Sequence, residues 1–241
     1  MARQEYTDGL KECIPVAVGY FSVSFGFGAV AVNQGLSALQ ATLISLTNMT
    51  SAGQFAGLTV IAAAASLVEM VLTQLVINSR YALMSLALSQ KMSGKIGLGC
   101  RLIFSFYNTD EVFALAMARK KPLTSPYLMG LGTLAVLGWT GGTLAGALAS
   151  AAMPGAVRTA LGVALYGMFI AIVVPQARQE KPILAASLLA IAASCLFSWV
   201  PALQQVSAGL AIVISTVAAA GICAVLFPVQ DPSSSQEVKS A

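Results

Sequence analysis

Asn48-Met49-Thr50-Ser51-Ala52-Gly53-Gln54 opens the stretch that decides how this chain folds, and Val76-Ile77-Asn78-Ser79-Arg80-Tyr81 closes it. Between them, Phe55 to Val68 is apolar, and Glu69 sits in the far half of the stretch. A helix at a water-exposed surface gathers its polar residues into one stripe. Here they gather at the two ends, with a single carboxylate between. That pattern suits a helix whose middle lies in lipid or protein and whose ends carry polar work. Asn48 to Arg80 reads as a substrate-facing helix of a membrane transporter.

Composition supports the bilayer as solvent. The 241 residues are 57% hydrophobic and 9% charged, with mean hydropathy +0.82. A soluble domain carries about 25% charged residues, enough to coat a wetted surface. Histidine is absent, which excludes a histidine triad and histidine metal ligands and leaves Asp, Glu or Lys for proton transfer. Cys13, Cys100, Cys195 and Cys223 are widely spaced with no CxxC pair, so they read as small packing residues and not as a metal or disulfide site. The net charge of +4 sits mostly in loops, where it speaks to membrane orientation and not to nucleic acid. No Walker-type phosphate loop is present, and no cofactor is expected.

Outward from the central stretch, a span needs about 20 apolar residues. The first is expected from Ile14 to Val32, where Gly19, Gly26 and Gly28 either admit a neighbouring helix or break the helix. Ser37 is a candidate N-cap for a short helix ending near Leu46. Thr47 to Gln54 is then a non-helical break at membrane depth, and Ala56 to Ile77 a full span. Leu102 to Ala118 is interrupted by Asn108-Thr109-Asp110-Glu111 and forms one broken span or a re-entrant pair. Further spans are expected at Tyr127 to Ala149, Val157 to Val174, Ile183 to Val200 and Val206 to Phe227. In the first of these, Gly138, Gly142 and Gly146 form a close-packing face. Placing the basic clusters Arg119 to Lys121 and Arg178 with Lys181 in the cytoplasm makes the number of crossings between Ile14 and Ala118 even.

The fold class is therefore an all-α integral membrane protein, a polytopic helical bundle with discontinuous or re-entrant helices in its first half. Residues 1–13 are an interfacial N-terminal segment, 14–229 a single transmembrane transporter domain, and 230–241 a disordered, Ser-rich C-terminal tail.

Ser51-Ala52-Gly53-Gln54-Phe55-Ala56-Gly57, Asn78-Ser79-Arg80-Tyr81-Ala82-Leu83-Met84, Thr109-Asp110-Glu111-Val112-Phe113-Ala114 and Trp139-Thr140-Gly141-Gly142-Thr143 follow one another in this order. Together they resemble the AzlC family, the large subunit of branched-chain amino acid exporters, over roughly Thr7 to Phe227. The resemblance implies a bacterial inner-membrane, multi-pass exporter that works with a small hydrophobic AzlD-like subunit. It also implies substrates such as leucine, isoleucine, valine or methionine. The family pattern often carries an Asp-Phe pair where Gly162-Val163 stand here, which bears on ion coupling and substrate.

Candidate site residues follow from cost. A carboxylate in the bilayer costs about 2.5–3.5 kcal/mol on insertion scales and needs a partner or a proton. Glu69, Asp110 and Glu111 are the acids within apolar stretches. Glu69 reads as a coupling site or an ammonium acceptor, or as a carboxylate reaching interfacial water. Asp110 and Glu111 read as first-turn helix residues or as coupling groups. Arg80 beside Asn78 either holds a substrate carboxylate or snorkels from a helix end. Ser51, Gly53 and Gln54 would offer backbone N–H groups and a side chain to a carboxylate, with Phe55, Tyr20 and Phe25 against an apolar side chain. Proton-coupled export of apolar amino acids is the leading reading, and the alternative is a non-transporting membrane scaffold or assembly subunit. An enzyme is not expected, because no adjacent nucleophile and base lie within a span.

Overall fold

A glycine at φ +97°, Gly35, ends the first helix. Ahead of it, α1 runs unbroken from Ala2 to Asn33. The computed structural model describes residues 2–92, 96–150, 152–154, 156, 170 and 173–228. The expected span Val157 to Val174 falls almost wholly outside these residues. So do Gly162, the tail 230–241 and residues 93–95. At roughly 1.5 Å per residue the 32 residues of α1 exceed a hydrocarbon core of about 30 Å, so its first turns project beyond the span.

Six short helices and two breaks follow. Ser37 caps α2 (Ala38–Thr47) by accepting the Gln40 N–H at 3.2 Å, while the Gln40 side chain accepts the Ser37 N–H at 2.8 Å. After the break come α3 (Ser51–Ala62), α4 (Leu67–Asn78) and α5 (Arg80–Lys91). Then α6 (Leu98–Phe106) stops, and α7 (Asp110–Ala118) starts beyond a second break. The long α8 covers Ser125–Ser150. Residues 173–228 add α9 (Lys181–Trp199) and α10 (Ala208–Leu226), which pack on each other as a hairpin. The chain divides into two units, Met1–Met168 and Phe169–Ala241. Among the described residues, four helices, α1, α8, α9 and α10, are long and apolar enough to cross a membrane, and α4 with α5, bent by 42°, would make a fifth. The protein is an all-α membrane protein.

Two expectations need correction. The break after α2 is shorter than Thr47 to Gln54: Asn48 and Thr50 are extended, whereas Thr47 closes α2 and Ser51 to Gln54 form the first turn of α3. Ala56 to Ile77 is also not one span. The chain turns at Ala63–Ser66, with Ala64 at φ 49°. There the Ala65 N–H reaches the Val60 carbonyl at 3.1 Å and satisfies the helix end. Ser66 then caps α4 by accepting the Glu69 N–H at 3.2 Å. The run of alanines hid this corner, since alanine is the best helix former and glycine usually takes the left-handed position. Ser66-x-x-Glu69 was the legible signal, a capping-box pattern. The result is an antiparallel α3–α4 hairpin, closed where Gln74 Nε2 donates to the Gly53 carbonyl at 2.8 Å.

The core of the first unit is the contact of α1 with α8. A carbon added at Gly138 would meet Ala17, at Gly142 Phe21 and at Gly146 Phe25, all through backbone atoms. Ser150 Oγ donates to the Ala29 carbonyl, 121 residues away, and the same separation relates each glycine to its partner. A constant separation means the two helices run parallel. Their N-terminal ends meet as well: Arg119 pairs with Glu5 at 2.5 Å, Thr124 Oγ1 donates to Glu5 at 3.0 Å, and Tyr127 Oη donates to Glu12 at 2.5 Å. Both helices therefore start at the same end of the packed pair, the arrangement that an even number of crossings between Ile14 and Ala118 requires.

Two outcomes follow from this packing. Gly142→Leu forces the α1 and α8 backbones apart, at a cost of about 1–3 kcal/mol or more. It should lower the detergent melting temperature sharply, whereas Gly141→Leu should not, since nothing lies within 4 Å of that added carbon. Equal melting of the two variants would exclude the contact. At the N-terminal end, the Arg119 guanidinium holds the Glu5 carboxyl below its usual range, against the opposing effect of burial. Glu5 then stays charged to lower pH when folded, so its contribution is complete above its ordinary value of 4.5 and fades as pH falls through the lower folded value. The stability gap between the parent and Glu5→Gln should close on acidification below that value. A gap constant with pH would refute the pairing.

Candidate functional site

Both helix breaks are built by side chains that bond the local backbone. In the first, Asn48 Oδ1 accepts the Thr50 N–H at 3.0 Å, and Thr50 O receives the first helical bond of α3 from Gln54 at 2.9 Å. In the second, the Thr109 N–H donates to the Tyr107 carbonyl at 2.9 Å, and Thr109 Oγ1 accepts the Val112 N–H at 3.4 Å. Asp110 and Glu111 occupy the first turn of α7, where negative charge complements the helix dipole.

The two breaks face one cavity of about 180 Å³. Thr47, Asn48 and Thr50 line it from one break, Asn108 and Thr109 from the other, with Tyr81 between. This is below the roughly 300–1,000 Å³ of drug-sized sites and suits a metabolite. The C-terminal ends of α2 and α6 bring partial negative charge, and the N-terminal ends of α3 and α7 bring partial positive charge. Of the lining residues, Thr50 and Asn108 each keep a buried side-chain oxygen without a protein partner, and so do Ser51 and Asn78 outside the lining. Such atoms cost about 1–3 kcal/mol each when left unpaired, so a polar ligand or water gains by reaching them.

The predicted residues do not all come together. Ser51, Gly53 and Asn78 come together on the α3–α4 hairpin: Asn78 Nδ2 donates to Gln74 Oε1 at 3.0 Å, and a carbon added at Gly53 would meet the Gln74 and Asn78 amides. Arg80 pairs with Asp110 and lies 4.9 Å over the Tyr81 ring, so a protein carboxylate already engages it. Glu111 Oε2 accepts the Tyr20 hydroxyl at 2.6 Å, and Tyr20 Oη also bonds Thr109 Oγ1. Glu69 stands apart, buried in the first turn of α4. Nine residues separate it from Asn78, about 13 Å along the helix.

Gln54 and Phe55 turn elsewhere. Phe55 meets Phe27 edge-on at 5.2 Å. Gln54, 2% exposed, receives the Trp139 indole N–H at 2.5 Å and donates to Ser45 Oγ at 2.7 Å, and Ser45 bonds Thr143 at 2.6 Å. This chain ties α3, α2 and α8 together. Sequence reading missed its partners and the role of Tyr20. One signal was available, since each break ends its first half-helix with the same pattern, Ser45-x-x-Asn48 and Ser105-x-x-Asn108. Gln54→Leu leaves the Trp139 N–H and the Ser45 hydroxyl unanswered and should destabilise the protein by about 1–3 kcal/mol. A lower melting temperature would show it, and an unchanged one would mean Gln54 does not hold these helices.

A family model described as AzlC protein matches residues 15–153, which span α1 to α8 and both breaks. The inner membrane protein YgaZ of Escherichia coli (strain K12) is 29% identical over 202 residues, covering 80% of this chain and 82% of that protein. An uncharacterized membrane protein of Archaeoglobus fulgidus is 30% identical over 172 residues, covering 70% of this chain and 75% of that one. No solved structure matches. With the matched region holding the glycine-packed helix pair and both breaks, the chain belongs to the AzlC family of membrane proteins.

Proposed function

We propose that the protein is a secondary transporter of the bacterial inner membrane that exports branched-chain or other apolar amino acids by proton coupling. A small hydrophobic AzlD-like subunit would be its partner, and residues 14–229 would act as one transporter domain. The observation that carries this reading is the cavity between two helix breaks. An amino acid is a zwitterion, and the cavity offers both helix polarities within one small volume. Its carboxylate would take the N–H groups at the start of α3, beside Ser51 and Gly53. Its ammonium would take the carbonyl ends of α2 and α6 and the unpartnered oxygens of Thr50 and Asn108. Met49 and Phe106, which also line the cavity, offer an apolar wall. Glu69, Asp110 and Glu111 are the candidate coupling groups.

The test is efflux of labelled leucine from proteoliposomes holding the protein and its partner, with and without a pH gradient. Gradient-driven efflux is expected in the parent. Thr50→Val and Asn108→Leu should each lower leucine affinity about tenfold, the worth of one lost hydrogen bond to a charged group, with little change in melting. A parent that moves no branched-chain amino acid, or variants that transport at the parent rate, would overturn the reading.

A further inference from the structure

Asp110 and Glu111 are neighbours on the first turn of α7, yet they meet different partners. Asp110 is held by the Arg80 guanidinium. Glu111 is bonded to a phenol, Tyr20 of α1, and that phenol is bonded to Thr109, which lines the cavity. Glu111 is exposed and Tyr20 is buried. The three side chains thus run from an accessible carboxyl, through a buried hydroxyl, to the cavity wall. Other groups near Glu111 are Arg80 and Tyr81 of α5 and Asp110 of its own helix. The sole ionisable residue of α8, Tyr127, is engaged by Glu12, and Lys91 of α5 donates to the Met117 carbonyl.

Each hydroxyl carries one proton, which constrains the direction of the chain. With Glu111 ionised, the Tyr20 O–H donates to Glu111 Oε2, so the Thr109 O–H must donate to Tyr20 Oη. Thr109 then shows the cavity only a lone pair. When Glu111 takes up a proton, its own O–H donates to Tyr20 Oη. Tyr20 turns its proton toward Thr109 Oγ1, and the Thr109 O–H is released toward the cavity. No proton passes along the chain, since the two hydroxyls only rotate. The cavity wall changes from acceptor to donor.

We infer that Glu111 is the proton site of the transport cycle and that Tyr20 is the positioning residue through which its protonation switches Thr109 into a donor for the substrate carboxylate. This rests on the amino acid transport reading and deepens it. Substrate binding and proton uptake then favour each other, each raising the affinity for the other by the same factor.

Binding of tritiated leucine to the full-length protein in detergent, followed from acid to alkaline pH, tests it. The parent should bind about tenfold tighter at the acid end, the worth of one hydrogen bond to a carboxylate. Glu111→Gln should bind at the tight value at every pH, because its amide N–H donates to Tyr20 as the protonated acid does. Tyr20→Phe and Thr109→Val should bind weakly at every pH, while Thr109→Ser keeps the parent profile. The parent profile persisting in Glu111→Gln or Tyr20→Phe overturns the inference, as does its loss in Glu69→Gln alone. A second arm needs no ligand: infrared spectra on acidification should show a carboxyl band absent in Glu111→Gln and shifted in Tyr20→Phe. If the parent binds no leucine at any pH, the amino acid reading fails. The infrared arm still decides the relay, and a titrating band that Glu111→Gln retains or Tyr20→Phe leaves unmoved overturns it.

Discussion

Everything in the first unit depends on two backbones lying in contact. Between α1 and α8 the row Gly138, Gly142 and Gly146 removes the side chains that would separate the helices. No hydrophobic force gathers helices inside a bilayer, so the attraction has to come from short-range packing along the whole seam. That attraction falls away within an ångström of separation, which is why small residues are needed at each turn and not at one point. The seam sets a frame, and α2 docks against it through the Ser45–Thr143 hydroxyl bond and α3 through the Gln54–Trp139 contact.

The frame makes the breaks tolerable. A helix interrupted at membrane depth leaves backbone groups that lipid cannot satisfy. Here Asn48 and Thr109 answer some of them locally, and the cavity lies where others converge. The α3–α4 hairpin continues the same economy. Its Gly53 carbonyl is met by Gln74, and its far corner is closed by the helix-end bond of Ala65 and the Ser66 cap. Polar residues in this chain therefore gather at helix ends, which is why Asn48 to Arg80 stands out in the sequence.

Much of the fold was legible for that reason. Composition, the apolar runs and the glycine row are local properties, and the glycine row and the described apolar runs fall on helices, with Ala56 to Ile77 split into two. The corner at Ala63–Ser66 was harder. Its signal was one Ser-x-x-Glu pattern inside an alanine run, and propensity pointed the other way. The site was legible in part. Ser51, Gly53, Asn78, Asp110 and Glu111 were picked by the cost of polar groups in lipid, and all fall at helix ends. What single-sequence reading lacked was pairing. Nothing local says that Arg80 meets Asp110, that Tyr20 reaches Glu111 from 91 residues away, or that Gln54 turns to Trp139 across 85 residues. Those partners are products of the parallel α1–α8 register and cannot be read along the chain.

That register also limits how the protein can move. Knobs of one helix sit over the glycines of the other at a constant separation along more than five turns. Sliding by one residue, about 1.5 Å, would bring side chains over every glycine gap at once. Shear between α1 and α8 is thereby blocked, and the pair behaves as a fixed post. Any opening and closing of the cavity must come from the elements hung on it: the α3–α4 hairpin, the bend at Ser79 and the half-helices α6 and α7. Of these, the bend carries its own hinge chemistry, because Ser79 Oγ donates back to the Val76 carbonyl at 2.9 Å and loosens the helix it terminates. Rocking of short segments against a rigid pair is the motion this architecture permits.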